Sequence, residues 1–144
     1  ASQKVGQSAA PLFLDRIDIQ CEISALPFKE LSKAAPGEPS AKIRERVIAA
    51  RALQTARFKD VPGVHCNAQM TERMIHQYAE PDEQGLDLMR LAMERLSLSA
   101  RAYSRILKVA RTIADLDASD RVQPHHLAEA IGYRNLDRGD WAER

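Results

Sequence analysis

From Ile17 the chain alternates strictly, with Ile17, Ile19, Cys21 and Ile23 on one side and Asp18, Gln20 and Glu22 on the other. A period of two belongs to a half-buried strand, and no other segment predicts one convincingly. A lone strand has no ladder partner, so its backbone groups must turn to water or to a sheet built by other polypeptide. The segment is expected to be an orphan edge strand or an irregular extended arm. Pro27, Pro36, Gly37 and Pro39 then mark a loop over 27–39. Beyond it the period lengthens. Ser40 is placed to cap a helix reaching Phe58, with Ile43, Val47, Ala50 and Leu53 recurring at three- or four-residue spacing. Pro62-Gly63 predicts a turn within the loop 61–70. Four more helices follow. Thr71 caps the first, which stops before Pro81; Asp82 caps the second, which aligns Leu86, Met89, Met93 and Leu96. Ser99 caps the third and most regular, whose Tyr103, Ile106, Leu107, Ala110, Ile113 and Ala114 form one apolar stripe. Pro124 suits the first position of the fourth, and Gly132 its C-cap. The fold class is mainly α: a helical bundle preceded by one orphan strand or extended arm.

Composition narrows the function classes. At 144 residues, 44% hydrophobic and 28% charged, the chain suits one globular domain with a real core. Twenty-one Lys and Arg against twenty Asp and Glu exclude binding of nucleic acid by bulk charge, although local basic patches remain. The sequence contains no apolar run long enough to span a membrane and no secretory signal, and two cysteines are too few for a disulfide framework. A reducing cytoplasm is the expected location, with no membrane partner. The six glycines are scattered, so no phosphate-cradling loop or dinucleotide fingerprint is present. A self-sufficient nucleotide-dependent enzyme is not expected from this stretch alone.

Three features carry candidate chemistry. Arg16 stands just before the alternating segment, where an arginine is by default a surface charge or an Asp partner. Arg101, Arg105, Lys108 and Arg111 step by four, three and three, which predicts a basic ridge opposite the apolar stripe. By default this is a solvated face; it is also a possible DNA or phosphate ridge. The stretch 40–60 sets Lys42, Arg44, Arg46, Arg51, Arg57 and Lys59 against Glu45 and Asp60, without the interleaved aromatics of a single-strand stacking platform. His65 beside Cys66, and His125 beside His126, are poor metal sites, because neither pair has a second pair at ligand spacing. No metal is expected. His125 and His126 read as first-turn helix residues, one partly buried, and Met70, Met74, Met89 and Met93 read as core filler.

LDRIDI at 14–19, together with LSLSARAYSRILKVARTIADLDASDRVQPHHLAEAIGYRNLDR at 96–138, resembles the C-terminal part of the magnesium-chelatase-like AAA+ ATPases, in the competence-protein (ComM/YifB-type) branch. The resemblance covers roughly 11–138. It implies that Walker A and Walker B motifs lie upstream, in polypeptide this chain does not include. Ser8-Ala9-Ala10-Pro11-Leu12-Phe13-Leu14 stands where members often carry Ser-Gly-Pro-Leu-Leu, so the glycine of that loop is missing. Residues 1–35 then correspond to the end of the AAA+ core, 36–138 to the helical C-terminal lid and 139–144 to a tail. Arg16 matches the arginine finger, which reaches in trans to ATP on a neighbouring subunit. Arg101 matches the sensor 2 arginine, which contacts an ATP phosphate. The implied cofactors are ATP and Mg2+ in the full-length protein, with none bound by this part alone. The implied partners are its own N-terminal core, neighbouring subunits of a homo-oligomeric ring (a hexamer) and DNA worked upon in transformation or recombination. Two other functions stay open: the motor subunit of a true magnesium chelatase, and a free-standing helical adaptor for protein or DNA.

Overall fold

The structure, a computed structural model, describes residues 16–134. The polar start of the chain, Leu14 and Asp15 of the Asp-Arg motif, and the 139–144 tail lie outside the described residues. Among the described residues, six α-helices account for the regular structure: α1 (Phe28–Leu31), α2 (Ser40–Arg57), α3 (Glu72–Tyr78), α4 (Glu83–Arg95), α5 (Ala100–Leu116) and α6 (Pro124–Gly132), with a 3-10 turn at Asn67–Gln69. No strand occurs among the described residues. The alternating segment is instead an extended arm. Its Ile19 and Ile23 are exposed, and Gln20 N–H bonds to the Tyr133 carbonyl rather than to a ladder. Alternation sets which side chains share a face, but only a neighbouring strand can complete the pairing.

Side-chain caps fix three of the helix starts where the sequence places them. Thr71 accepts from Met74 N, Asp82 from Gly85 N and Ser99 from Ala102 N. Each satisfies one of the amide groups that a helix start leaves without a partner. The cap expected at Ser40 is displaced: Pro39 is the N-cap, without a side-chain bond, and Ser40 is the first helical residue. Gly132 is not a C-cap either, because α6 runs through it and ends on Tyr133 in a right-handed conformation. Helices α4 and α5 do end in left-handed residues, at Ser97 (φ 46) and Ala118 (φ 51). In both, the two following amides fold back: Ser97 N to Glu94 O with Leu98 N to Met93 O, and Ala118 N to Asp115 O with Ser119 N to Ala114 O. These are Schellman ends built without glycine.

Helix α5 is the centre of the unit. Its Ile106, Leu107, Ala110 and Ala114 are buried against Ile75, Met89, Leu127, Ala130 and Ile131 from α3, α4 and α6. Burying each large side chain contributes about 1.5–3 kcal/mol. Alanines at 110, 114 and 130 allow α5 and α6 to approach closely. Gly85 does the same for α4: a Cβ there would lie 2.7 Å from Pro81 Cβ and 2.8 Å from Leu127 Cδ1. Met70 and Met89 fill the core as expected, while Met74 and Met93 are half-buried. Helix α2 departs from its expected stripe. It buries only Ala50 and Gln54, leaving Ile43, Val47 and Leu53 exposed. No described helix is long and apolar enough to cross a membrane.

Candidate functional site

The Ser99 cap fixes the start of α5 and puts Arg101 at its second helical position, exposed. One turn on, Arg105 Nη1 donates to the carbonyl of Arg16 at 2.8 Å and to Asp18 Oδ1 at 2.6 Å. Two further bonds hold the arm to the end of α6: Gln20 N–H to Tyr133 O at 2.7 Å and Arg134 Nη1 to Ile17 O at 3.3 Å. Arm, α5 and α6 thus enclose an open groove of about 1060 Å³, lined among others by Arg101, Ser104, Arg105, Lys108, Val109 and Ile113. The structure therefore brings the backbone of Arg16 onto the helix that carries Arg101. The Arg16 side chain is exposed.

The carboxylates of this groove are already engaged. Asp18 pairs with Arg105, and Glu72 accepts from Ser104 Oγ at 2.8 Å. Glu129 accepts from the Tyr133 hydroxyl at 2.7 Å, and Asp117 from His126 Nε2 at 2.9 Å. Lys108 is half-buried and donates to Ala68 O at 3.1 Å.

Arg111 does not extend the expected ridge. Three residues turn a helix about 60° short of a full circle, so the second three-residue step carries position 111 round to the flank of the apolar stripe. There its side chain is 3% exposed, and it donates to the carbonyls of Tyr78, Ser119 and Asp120. The basic face thus ends at Lys108, with Arg101 exposed and Arg105 and Lys108 half-buried. Arg111 instead fastens the loop after α5 and the end of α3.

Arg111 also borders a buried ionic cluster that the sequence did not single out. Asp115, with a fully buried side chain, accepts from Arg57 at 2.5 and 2.9 Å and from Asn67 Nδ2 at 2.8 Å, with Arg111 at 3.1 Å. Asn67 Oδ1 takes a further bond from Arg57, its Nδ2 one to Thr112 Oγ1, and its backbone N–H is received by Gln54 Oε1. Burial pushes the Asp115 carboxyl up. Hydrogen bonds from Arg57 and Asn67 and the charges of Arg57 and Arg111 outweigh it, so the carboxyl lies below its ordinary value. Burial in turn holds the Arg111 guanidinium below its ordinary value despite Asp115. One signal pointed to this cluster: Gln54 and Arg57 continue the face of Ala50, so polar groups occupy the buried side of α2.

Both histidines lie in the first turn of α6 as expected, with His126 fully rather than partly buried, His125 exposed and ring centroids 4.0 Å apart. Asp117, His125 and His126 offer ligand atoms within 4.8 Å of one another. His126 Nδ1, however, accepts the Gln123 N–H at 3.0 Å, so the neutral ring carries its proton on Nε2, facing Asp117. Binding a cation there would require removing that proton from a ring whose other nitrogen is already accepting. The triad closes the start of α6. Hydrogen bonds from His126 and His125 hold the Asp117 carboxyl below its ordinary value.

Residues 37–134 match the family model described as magnesium chelatase, subunit ChlI C-terminal. The chain is 42% identical over 127 residues to uncharacterized protein YifB of Escherichia coli (strain K12), covering 88% of this chain and 24% of that protein. It is 39% identical over 127 residues to competence protein ComM of Haemophilus influenzae, with the same shares of each chain. An uncharacterized protein of Mycobacterium tuberculosis is 30% identical over 130 residues, covering 90% of this chain and 25% of its own length. The chain thus spans about a quarter of the length of these curated relatives.

Proposed function

The chain belongs to the magnesium chelatase ChlI C-terminal family, and from that membership we propose that it is the helical lid of a AAA+ ATPase of the competence-protein (ComM/YifB-type) branch. In the longer protein it contributes two guanidinium groups to ATP hydrolysis at subunit interfaces of a ring. Arg16 serves as the arginine finger, reaching in trans to nucleotide held by the neighbouring subunit. Arg101 serves as sensor 2 and holds a phosphate oxygen. The observation that carries this is the exposure of Arg101 in the first turn of a capped helix, beside a groove where Arg105 anchors the Arg16 backbone.

The residues fit the phosphate end of the nucleotide. A guanidinium is planar and always charged and offers paired donors to phosphate oxygens, and the start of α5 favours an anion. They do not fit the metal end, because the four groove carboxylates each have a partner. Magnesium coordination would then fall to residues outside this groove. Bound elsewhere in the longer protein, ATP with Mg2+ would supply the phosphoryl group whose transfer drives the cycle. Arg16 offers donors where negative charge develops, Arg101 orients the lid against bound phosphate, and the rigid α5 carries a shift at its first turn into α6 and the arm.

We extend the proposal to a ring that works on DNA in transformation or recombination; the name of the ComM relative supports the competence setting alone. The family description supports a second reading, the motor subunit of a magnesium chelatase. The competence relative at 39% identity favours the first. Steady-state ATPase kinetics of the longer protein test the site. Arg101→Ala removes a charge-assisted contact and is expected to raise KM for ATP about tenfold or more. Values of KM and kcat both within about twofold of the parent, against that expectation, would overturn the sensor role.

A further inference from the structure

We propose that Arg105 is a positioning residue for Arg16: it clamps the arm onto α5, so that the arm and the first turns of that helix move as one body. The inference rests on the finger role of Arg16 given above.

The arm has little else to hold it. Among the described residues it forms no ladder, and Ile19 and Ile23 are 53% and 92% exposed, which leaves Ile17, half-buried, as the arm isoleucine with apolar cover. Its hydrogen bonds to the helices include a polar set at 16–20. Arg105 binds the Arg16 carbonyl and the Asp18 carboxylate together, while α6 supplies the Tyr133 carbonyl to Gln20 and Arg134 to Ile17. An exposed ion pair alone contributes little. Here one guanidinium spans two acceptors on one short segment, with its side chain 30% exposed. The carbonyl it holds belongs to Arg16 itself, which fixes the base from which that side chain projects. Arg101 lies four residues earlier on the same helix, about 6 Å along its axis. A phosphate contact at Arg101 and the aim of Arg16 are therefore linked through one turn of α5. Each subunit would set its finger toward one neighbour according to what its own lid senses.

Two measurements separate this inference from the reading beneath it. The first is amide exchange at Gln20 in the 144-residue chain. Arg105→Ala is expected to speed it about threefold or more, with the α5 amides unchanged. The second is ATPase kinetics of the longer protein. Arg105→Ala should lower kcat about tenfold while leaving KM within about twofold, and Arg105→Lys, which can still reach one acceptor, should recover part of the kcat. Arg101→Ala moves KM instead. Unchanged Gln20 exchange in Arg105→Ala would overturn the clamp. A normal kcat in Arg105→Ala, where Arg16→Ala has lost turnover, would overturn the positioning role. Normal turnover in Arg16→Ala would instead remove the finger reading, and the positioning role with it, while the exchange result still decides the clamp.

Discussion

Replacing Asp115 with alanine should be the most damaging single change in the described unit outside the apolar core. The carboxylate is fully buried, and two guanidinium groups converge on it, one 14% and the other 3% exposed. Removing it takes from both desolvated cations the carboxylate they share, leaving Arg111 only the weaker charge of Asp120, and deprives Asn67 Nδ2 of one acceptor. Breaking a buried pair from one side costs about 3–5 kcal/mol. Arg57→Ala is the informative comparison, because Asp115 then keeps Arg111 and Asn67 and only the contacts of one partly exposed group are lost. That change should cost about 1–3 kcal/mol. Urea unfolding followed by far-ultraviolet circular dichroism measures both, and the Asp115→Ala midpoint should fall by roughly 1–3 M. The cluster also ties α2, which buries few apolar side chains, to α5, so the double variant should show coupling of about 1 kcal/mol or more. An Asp115→Ala cost below about 1 kcal/mol, or smaller than that of Arg57→Ala, would refute the claim that this carboxylate neutralises the cluster.

Two further outcomes follow from the same structure. Gly85→Ala would normally gain about 1 kcal/mol of helix propensity, but its Cβ would meet Pro81 and Leu127, so it should destabilise by about 1–3 kcal/mol in the same unfolding assay. The Asp115 carboxyl lies lower when folded than unfolded, so the unfolded chain binds its proton first. The stability it contributes is present above about pH 4 and is lost as pH falls through the depressed folded value. Unfolding free energies at acid pH should therefore decline less steeply for Asp115→Asn than for the parent, and equal slopes would contradict the assignment.

The elements governed by short-range chemistry were legible in the sequence. Thr71, Asp82 and Ser99 cap where their hydroxyl or carboxylate can reach an amide three residues on, and the stripe of α5 fixes its buried face. What needed tertiary partners was not. The alternation at 17–23 could not reveal that the arm is pinned by carbonyl contacts to Arg105 and Arg134. Both Schellman ends use Ser97 and Ala118 in place of glycine, so the usual signal is absent, while Gly132, which looked like that signal, is helical. The roles proposed for Arg16 and Arg101 rest on family resemblance, because an arginine at either place is otherwise an ordinary surface charge. Arg111 was misplaced because a heptad-like spacing was followed one step too far round the helix. Arg57 was missed because a basic helix was counted by charge rather than by face, where Gln54 already marked a buried polar side.

In the function proposed, this chain lends guanidinium groups to a phosphate pocket completed by the rest of the longer protein. Single-turnover hydrolysis of prebound ATP by the longer protein carrying Arg16→Ala tests it most directly. Nucleotide binding should stay near that of the parent while turnover falls by about a thousandfold or more. Turnover within about twofold of the parent at saturating ATP, far from the loss a missing finger causes, would contradict it.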